Sequence, residues 1–573
     1  MSSPRTVPSR GAKDVVTFTV RVDGADLPKT LEISGISVFK AIGRIPFARI
    51  EILDGDPAAQ SFPASESDLF TPGKEVKILA GYRSEEDAIF TGILVGQKIR
   101  IRQSGRGLLT LHCRHPLYRA TLTRRCRTWQ EVSDADAISS SFGEYGVDIA
   151  AASGGIVHPA LFQYESTDWD FALVRARASG LFLIPTDAGV DLAKPDFAQE
   201  PALSLQFGAT VFELDAEFDI RDQPASVRAS AWDPAAQEIV ETTGEEPTLP
   251  AAGNFAPADM AAIHSQDVAI RHPGAVSEEE LQAFATAALL VRRLGAIVGR
   301  AQCTGTPAPL PGAILKLEGA GARFSGDLLI SAVRHTLAAG SWTTDVQFGI
   351  PSSPEPPFQE MVPRTRGLQI GVVEALEGDP DGEFRIRVRL PVLGNSAGPV
   401  FARLASFDAG PDRGGTYFPE IGDEVVVAFL DADPRHAIVL GSLHSSARAA
   451  PVEPADANPE KGYYSRSGVK LVFNDEKKSL RLETPAGNFL TLDEDAGEIR
   501  IVDQHGNKVV LDAAGISLES AKDLILKAAA TLSIGGVNIS ADASGSFTAT
   551  GSAGAELSAS GNTVIKGALV QIN

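Results

Sequence analysis

The chain has 573 residues, 43% of them apolar, and a formal net charge of −21. That length predicts roughly two to four domains with real cores, and the acidic balance argues against general nucleic-acid or anionic-membrane binding. Three scattered cysteines, Cys113, Cys126 and Cys303, exclude a disulfide framework and fit folding in a reducing cytoplasm. The opening MSSPRTVPSRGAKD lacks the apolar stretch of a signal peptide, and no run approaches the ~20 apolar residues of a membrane span. Synthesis in the cytoplasm is therefore expected, with any exit by another route.

Residues 14–355 form the first and largest block. VVTFTVRV, EVKILAGY, LLTLHCRH and DLLISAVRH carry the period-two alternation of half-buried strands. Thr167 with Asp170 predicts a helix start, and Gly180 a stop. Ser277 with Glu280 reads as a capping box for a second helix, with Leu281, Phe284, Ala288 and Val291 on one face and Arg292 and Arg293 in its C-terminal half. A proline-rich break spans 351–367. Residues 367–445 then hold five or so short strands with tight turns and no helix, which predicts a small closed barrel. A linker covers 446–466.

The last block, 467–573, repeats. Gly468, Gly487 and Gly506 stand nineteen residues apart, and Leu471/Leu490/Val509 and Leu480/Ile499/Leu518 fall in register behind them. Each unit reads as two short alternating strands, the pattern of a stacked β-solenoid. From Ala528 onward only Asp542, Glu556 and Lys566 are charged, and small residues alternate with Val, Ile and Leu. One copy of so thin a ribbon buries too little to offset an ordering entropy of about 1–2 kcal/mol per residue. It also leaves long strand edges unpaired. Three copies wound together would close the edges around one core.

Gly394-Asn395-Ser396-Ala397-Gly398 matches G-x-S-x-G, but Pro399 and a resumed strand pattern make it an inter-strand loop, not a nucleophile elbow. His112, Cys113, His115 and Cys126 do not converge on a metal, since His112 faces opposite to Cys113 and His115 in a strand. Asp493, Glu494, Asp495 and Glu498 read as a solvated turn. Nine basic residues and no acidic one lie between Lys98 and Arg127. Without interleaved aromatics they do not suit nucleic acid. They read either as a surface balanced by acids elsewhere in the chain or, at Arg119, Arg124, Arg125 and Arg127, as a face on which an acidic protein could dock. No catalytic residue, cofactor site or metal site is expected.

WDFALVRARASGLFLIP (169–185), AWDPAAQEI (231–239) and PGAILKLEGAGARFSGDLLISAVRHTL (311–337) resemble the hub domain of the VgrG and contractile phage tail-spike family. YFPEIGDEVVVAFLDADPRHAIVLGSLH (417–444) resembles the family's baseplate-V type OB barrel, and the last block, ending GNTVIKGALVQIN, its triple-stranded β-helix. The resemblance implies a mainly β fold: β-barrel hub domains with a few helices, an OB-fold barrel, and a C-terminal intertwined trimeric β-helix. It implies a non-enzymatic homotrimer that caps the inner tube of an injection machine, contacts baseplate proteins and pierces an envelope when the sheath contracts; a third reading is a carrier whose hub or basic stretch docks effector cargo. A PAAR-type tip protein would meet Ala568, Leu569, Val570, Gln571, Ile572 and Asn573. Neither the lysozyme insert nor the enzymatic extension that some members carry is expected here. The rival reading is a β-helical tail spike that degrades polysaccharide or envelope.

Overall fold

Apolar alternation produces strands where the pattern places them. In the computed structural model, which describes residues 15–102, 107–151, 154–351, 362–365, 367–394 and 398–572, these include Val16–Val22, Glu75–Tyr82, Leu108–Arg114 and Gly326–Ala338. The chain divides into two units, Met1–His444 and Ser445–Asn573.

In the first unit a 13-stranded sheet joins segments far apart in sequence. Gly326–Ala338 runs antiparallel beside Ile33–Ala41, with Ala332 opposite Ala41 and Ala338 opposite Gly35. One core gathers Val38, Ile50, Ile78, Phe90, Leu109 and Leu111 from the early strands. A second gathers Leu205, Ala301, Leu317, Ile330, Val346 and Phe348 from the late ones. The unit has four longer helices, α1 (Asp134–Phe142), α2 (Asp168–Ala178), α3 (Pro257–His264) and α4 (Glu278–Leu294); α2 packs on α1 and α4, and α4 on the small sheet that holds Ser226–Asp233 and Glu238–Thr243. Thr167 caps α2 by accepting from the Asp170 amide, and Ser277 caps α4 by accepting from the Glu280 amide. The expected reciprocal half of the α4 capping box is not made, because the Glu280 carboxylate faces Arg435 instead.

The barrel closes as expected, from Gln369–Ala375, Ile386–Arg389, Val400–Leu404, Ala437–Ser442 and Glu424–Phe429 in that order. Val373, Val388, Val400, Val425, Val427 and Val439 fill it, and Phe162 and Tyr164 from the first block belong to the same core. The proline-rich break between the two blocks lies largely outside the described residues, as do Asn395–Ala397 of the G-x-S-x-G loop.

The second unit lays side by side, within one chain, the strand pairs expected to stack in an intertwined trimeric β-helix. It is a seven-stranded antiparallel meander, Glu460–Tyr464, Lys470–Asn474, Ser479–Glu483, Phe489–Asp493, Glu498–Val502, Lys508–Asp512 and Gly515–Glu519, each strand paired with the next. Its first strand lies inside the segment expected to be linker. Each nineteen-residue repeat is one hairpin step, and Gly468, Gly487 and Gly506 occupy turns at φ of 85°, 87° and 91° that a side chain resists. After Glu519 no strand is assigned among the described residues, and from Ala521 every one of them is exposed. No helix among the described residues is long and apolar enough to cross a membrane.

Gly371 lets the barrel close: a Cβ there would run into the Val388 and Val427 side chains. Gly371→Ala is expected to destabilise the first unit by about 1–3 kcal/mol, the usual range for overpacking a filled core. Denaturant unfolding of the full chain, followed in that unit, measures it; an unchanged midpoint would show the barrel to be loosely filled.

Candidate functional site

The densest polar chemistry in the first unit lies between the first block and the barrel. Asp134 opens α1, His158 sits on the strand Val157–Thr167, Arg175 and Ser179 come from the end of α2, and Glu280 from the first turn of α4. All but Ser179 are buried. The barrel contributes Asp433, Arg435 and His436 from the loop before its strand Ala437–Ser442, and His272 ends the strand Asp267–His272.

Two guanidiniums organise these groups. Arg175 donates from Nε to Asp134 Oδ1 at 2.6 Å, and its Nη1 lies 3.5 Å from Glu280 Oε1. Arg435 donates from Nη1 to both Glu280 oxygens at 2.8 and 3.0 Å and from Nη2 to Asp433 Oδ2 at 2.8 Å. Glu280 thus stands between an arginine of the first block and an arginine of the barrel. His158 Nε2 lies 3.2 Å from Asp134, and Ser179 Oγ also donates to that carboxylate.

Burial by itself would push these carboxyls up, but the paired cations more than offset it. Arg175 and His158 hold Asp134 well below its ordinary range. Arg435, Arg175 and His158 lower Glu280, and Arg435 with His272 lowers Asp433 strongly. Burial of Arg435 would favour its neutral form, yet Asp433 and Glu280 hold it more firmly protonated than a free guanidinium.

At the barrel end, His272 Nε2 lies 3.3 Å and His436 Nε2 3.9 Å from Asp433 Oδ2. Their donor atoms all fall within 4.8 Å of one another, which makes this trio the one metal-type cluster found among the described residues.

The residues singled out from sequence are distributed otherwise. Cys113 is in the first core, with its thiol pushed up to about 12 by burial. Burial lowers His115 to about 4, and its Nδ1 accepts from the Leu117 amide to cap a short helical turn. His112 lies on the other face of that strand, so the four donors stay apart. Of the basic stretch, Arg119 and Arg124 are exposed. Arg127 bonds Glu144 at 2.6 Å, Arg125 bonds it at 3.0 Å through Nη2, and both approach the buried Asp168. Asp493 accepts from the Ala496 amide within its own turn, Glu494 faces Lys478, and Glu498 bonds Arg500. Ala568–Ile572 are exposed, and Asn573 lies outside the described residues.

Arg175→Met is expected to cost about 3–5 kcal/mol, because it leaves Asp134 and Glu280 buried without that cation. The carboxyl pKa values are depressed in the folded state. Their contribution is therefore complete above the ordinary values of 3.8 and 4.5 and is lost as pH falls through the folded ones. Urea unfolding between about pH 7 and 3 should show the wild type weakening on the acid side, and the variant less stable at pH 7 with a shallower acid slope. A variant slope as steep as the wild type's would contradict this electrostatic assignment.

Two family models match this chain. Residues 12–339 match the Alg8 N-terminal domain, and residues 369–444 match the type VI secretion system/phage-baseplate injector OB domain. The type VI secretion system spike protein VgrG1a of Pseudomonas aeruginosa is 30% identical over 185 residues, 31% of this chain and 25% of that protein. VgrG4b of the same organism is 33% identical over 105 residues, 17% of this chain and 13% of that protein. The chain thus aligns with a quarter or less of the length of these curated relatives. Among solved structures, the lidless PdpA–VgrG complex includes a chain with a TM-score of 0.52 at 10% identity, covering 88% of this chain and 98% of that one. The half-lidded Francisella complex gives 0.52 at 9% identity over 89% and 88%. At such identities these likenesses show the fold alone. With more than half of the sequence inside the first model and the barrel inside the second, the chain belongs to the VgrG-like family, an Alg8-type N-terminal domain followed by an injector OB domain.

Proposed function

We propose that this chain is the structural hub and spike of a contractile injection system, that it acts as a homotrimer, and that it performs no covalent chemistry. One observation carries the reading: the described part of Ser445–Asn573 contains no buried residue. The meander nonetheless presents two straight apolar rows on one face. Phe473, Leu480, Leu492, Ile499, Leu511 and Ile516 are successive cross-strand partners, as are Leu471, Leu482, Leu490, Ile501, Val509 and Leu518. Such a face in water is an interface awaiting its other side. Two further copies would supply it and would also give the unpaired ribbon from Ala521 onward its strand partners.

In this reading the first block caps an inner tube, the barrel forms a collar, and the C-terminal unit is the shaft. Ala568–Asn573 would seat a PAAR-type tip protein on an end where exposed Leu569 and Ile572 offer apolar surface. The Francisella VgrG was solved with a protein partner, PdpA, which supports the expectation of protein partners here. The exposed Arg119 and Arg124, with Arg125 and Arg127 beside them, are the proposed face for an acidic partner. The particle would be assembled in the cytoplasm and the spike driven through the target envelope. The rival enzymatic reading needs a groove of free carboxylates on the repeat, whereas Asp493, Glu494 and Glu498 are held by their own neighbours.

Light-scattering mass measurement on the full chain should give roughly 180 kDa, three times the 60.3 kDa protomer. Leu482 and Ile501, 47% and 45% exposed in the single chain, are suitable positions to charge. The double variant Leu482→Asp/Ile501→Asp should shift the mass toward the protomer and open 460–572 to protease. A monodisperse protomer whose C-terminal unit already resists protease would sink the proposal.

A further inference from the structure

We infer that His272, Asp433 and His436 form a site for one first-row divalent cation of the zinc class, which clasps the first block to the barrel. The trio joins a strand end of the block, His272, to the barrel loop that holds Asp433 and His436. Two imidazoles and a carboxylate are a donor set that zinc accepts, with bonds of about 2.0–2.2 Å. Tetrahedral bonds of that length place neighbouring donor atoms about 3.3–3.5 Å apart. His272 Nε2 already lies 3.3 Å from Asp433 Oδ2, and His436 Nε2, at 3.9 Å, must swing inward to complete the set.

Two further observations point to a ligand. His436 Nε2 is buried and has no hydrogen-bond partner among the described residues, an orphan beside a carboxylate. The Nδ1 of His272 lies 3.1 Å from the amide and 3.3 Å from the carbonyl of Gly274. The amide donates to Nδ1 in one tautomer and the carbonyl accepts from it in the other, and in both the backbone of Gly274 holds the ring with Nε2 toward Asp433; a cation at Nε2 selects the second. Asp433 meets Arg435 through both oxygens, Oδ1 accepting from Nε at 3.1 Å and Oδ2 from Nη2 at 2.8 Å, so a cation between the histidines would share Oδ2 with the guanidinium.

Gly274 is a positioning residue for this site. A Cβ on it would collide with the His436 ring, so only glycine lets that imidazole lie where it does.

The test is direct. Full-length chain, stripped with chelator, is titrated with Co²⁺ and followed by its visible d–d absorption, then challenged with Zn²⁺; bound zinc is counted after dialysis. The wild type should hold about one equivalent per protomer and show tetrahedral-type bands that Zn²⁺ abolishes. His436→Gln should reduce bound zinc to under about a tenth of an equivalent. Gly274→Ala, which keeps all three donors but displaces the ring, should weaken binding about 10–100-fold, as loss of outer-shell support does. Failure of the wild type to retain zinc would overturn the inference. So would cobalt bands that persist unchanged in both variants, because the ion would then sit elsewhere.

Discussion

Ordering a backbone residue costs about 1–2 kcal/mol, and a segment recovers that only by removing apolar surface from water. This constraint divides the molecule. The first unit meets it within one chain, through several separate cores. The C-terminal unit has regular hairpins, turns that demand glycine at Gly468, Gly487 and Gly506, and matched apolar rows, yet none of its described residues is fully buried. Every local choice in it agrees with a sheet, and the term that would stabilise the sheet is missing from the single chain. The proposed braiding of three copies puts that term back, and shaft stiffness then follows from the same contacts that permit folding.

The seam between first block and barrel follows a different logic. Phe162 and Tyr164 enter the barrel core and supply area, which attracts without direction. The ion network around Glu280 supplies direction. A buried ion pair adds little net stability over a hydrophobic pair, but a misplaced one is expensive. Arg435 must find Asp433 and Glu280 together, so the barrel has one rotational setting on the block. The short loop Asp433–His436 carries the carboxylate, the guanidinium and an imidazole of this arrangement, which makes it the mechanical keyway of the unit.

Much of the fold was legible because its signals are local. Alternation located the strands, Thr167 and Ser277 located two helix starts, and glycine spacing located the hairpins. The α1 segment DADAISSSF was missed because it is short and rich in serine, which favours helix ends over helix interiors. The nineteen-residue period showed strand pairs, and in the single chain these pairs lie side by side as a meander. A nineteen-residue period states how often a strand pair recurs, but not whether successive pairs stack or lie side by side. The seam was invisible from sequence. Glu280 looked like a helix cap, and the DADPRHAIVL segment served only as a family fingerprint. His272 and His436 lie 164 residues apart, and only folding brings them to one carboxylate.

These features bear on how such a molecule would carry load. A joint between two rigid parts under axial force fails first where contacts can be lost one at a time. The seam resists this because its polar groups share partners. Displacing Arg435 exposes two carboxylates to a dry interior, and displacing Glu280 does the same to two guanidiniums. Partial slippage is therefore costlier than holding, and the block and barrel move as one body up to the point where the whole network opens. The apolar contacts of Phe162 and Tyr164 lie in the same seam and must be lost in the same step. Cooperativity at this joint comes from desolvation, so excluding water from it is what makes it strong.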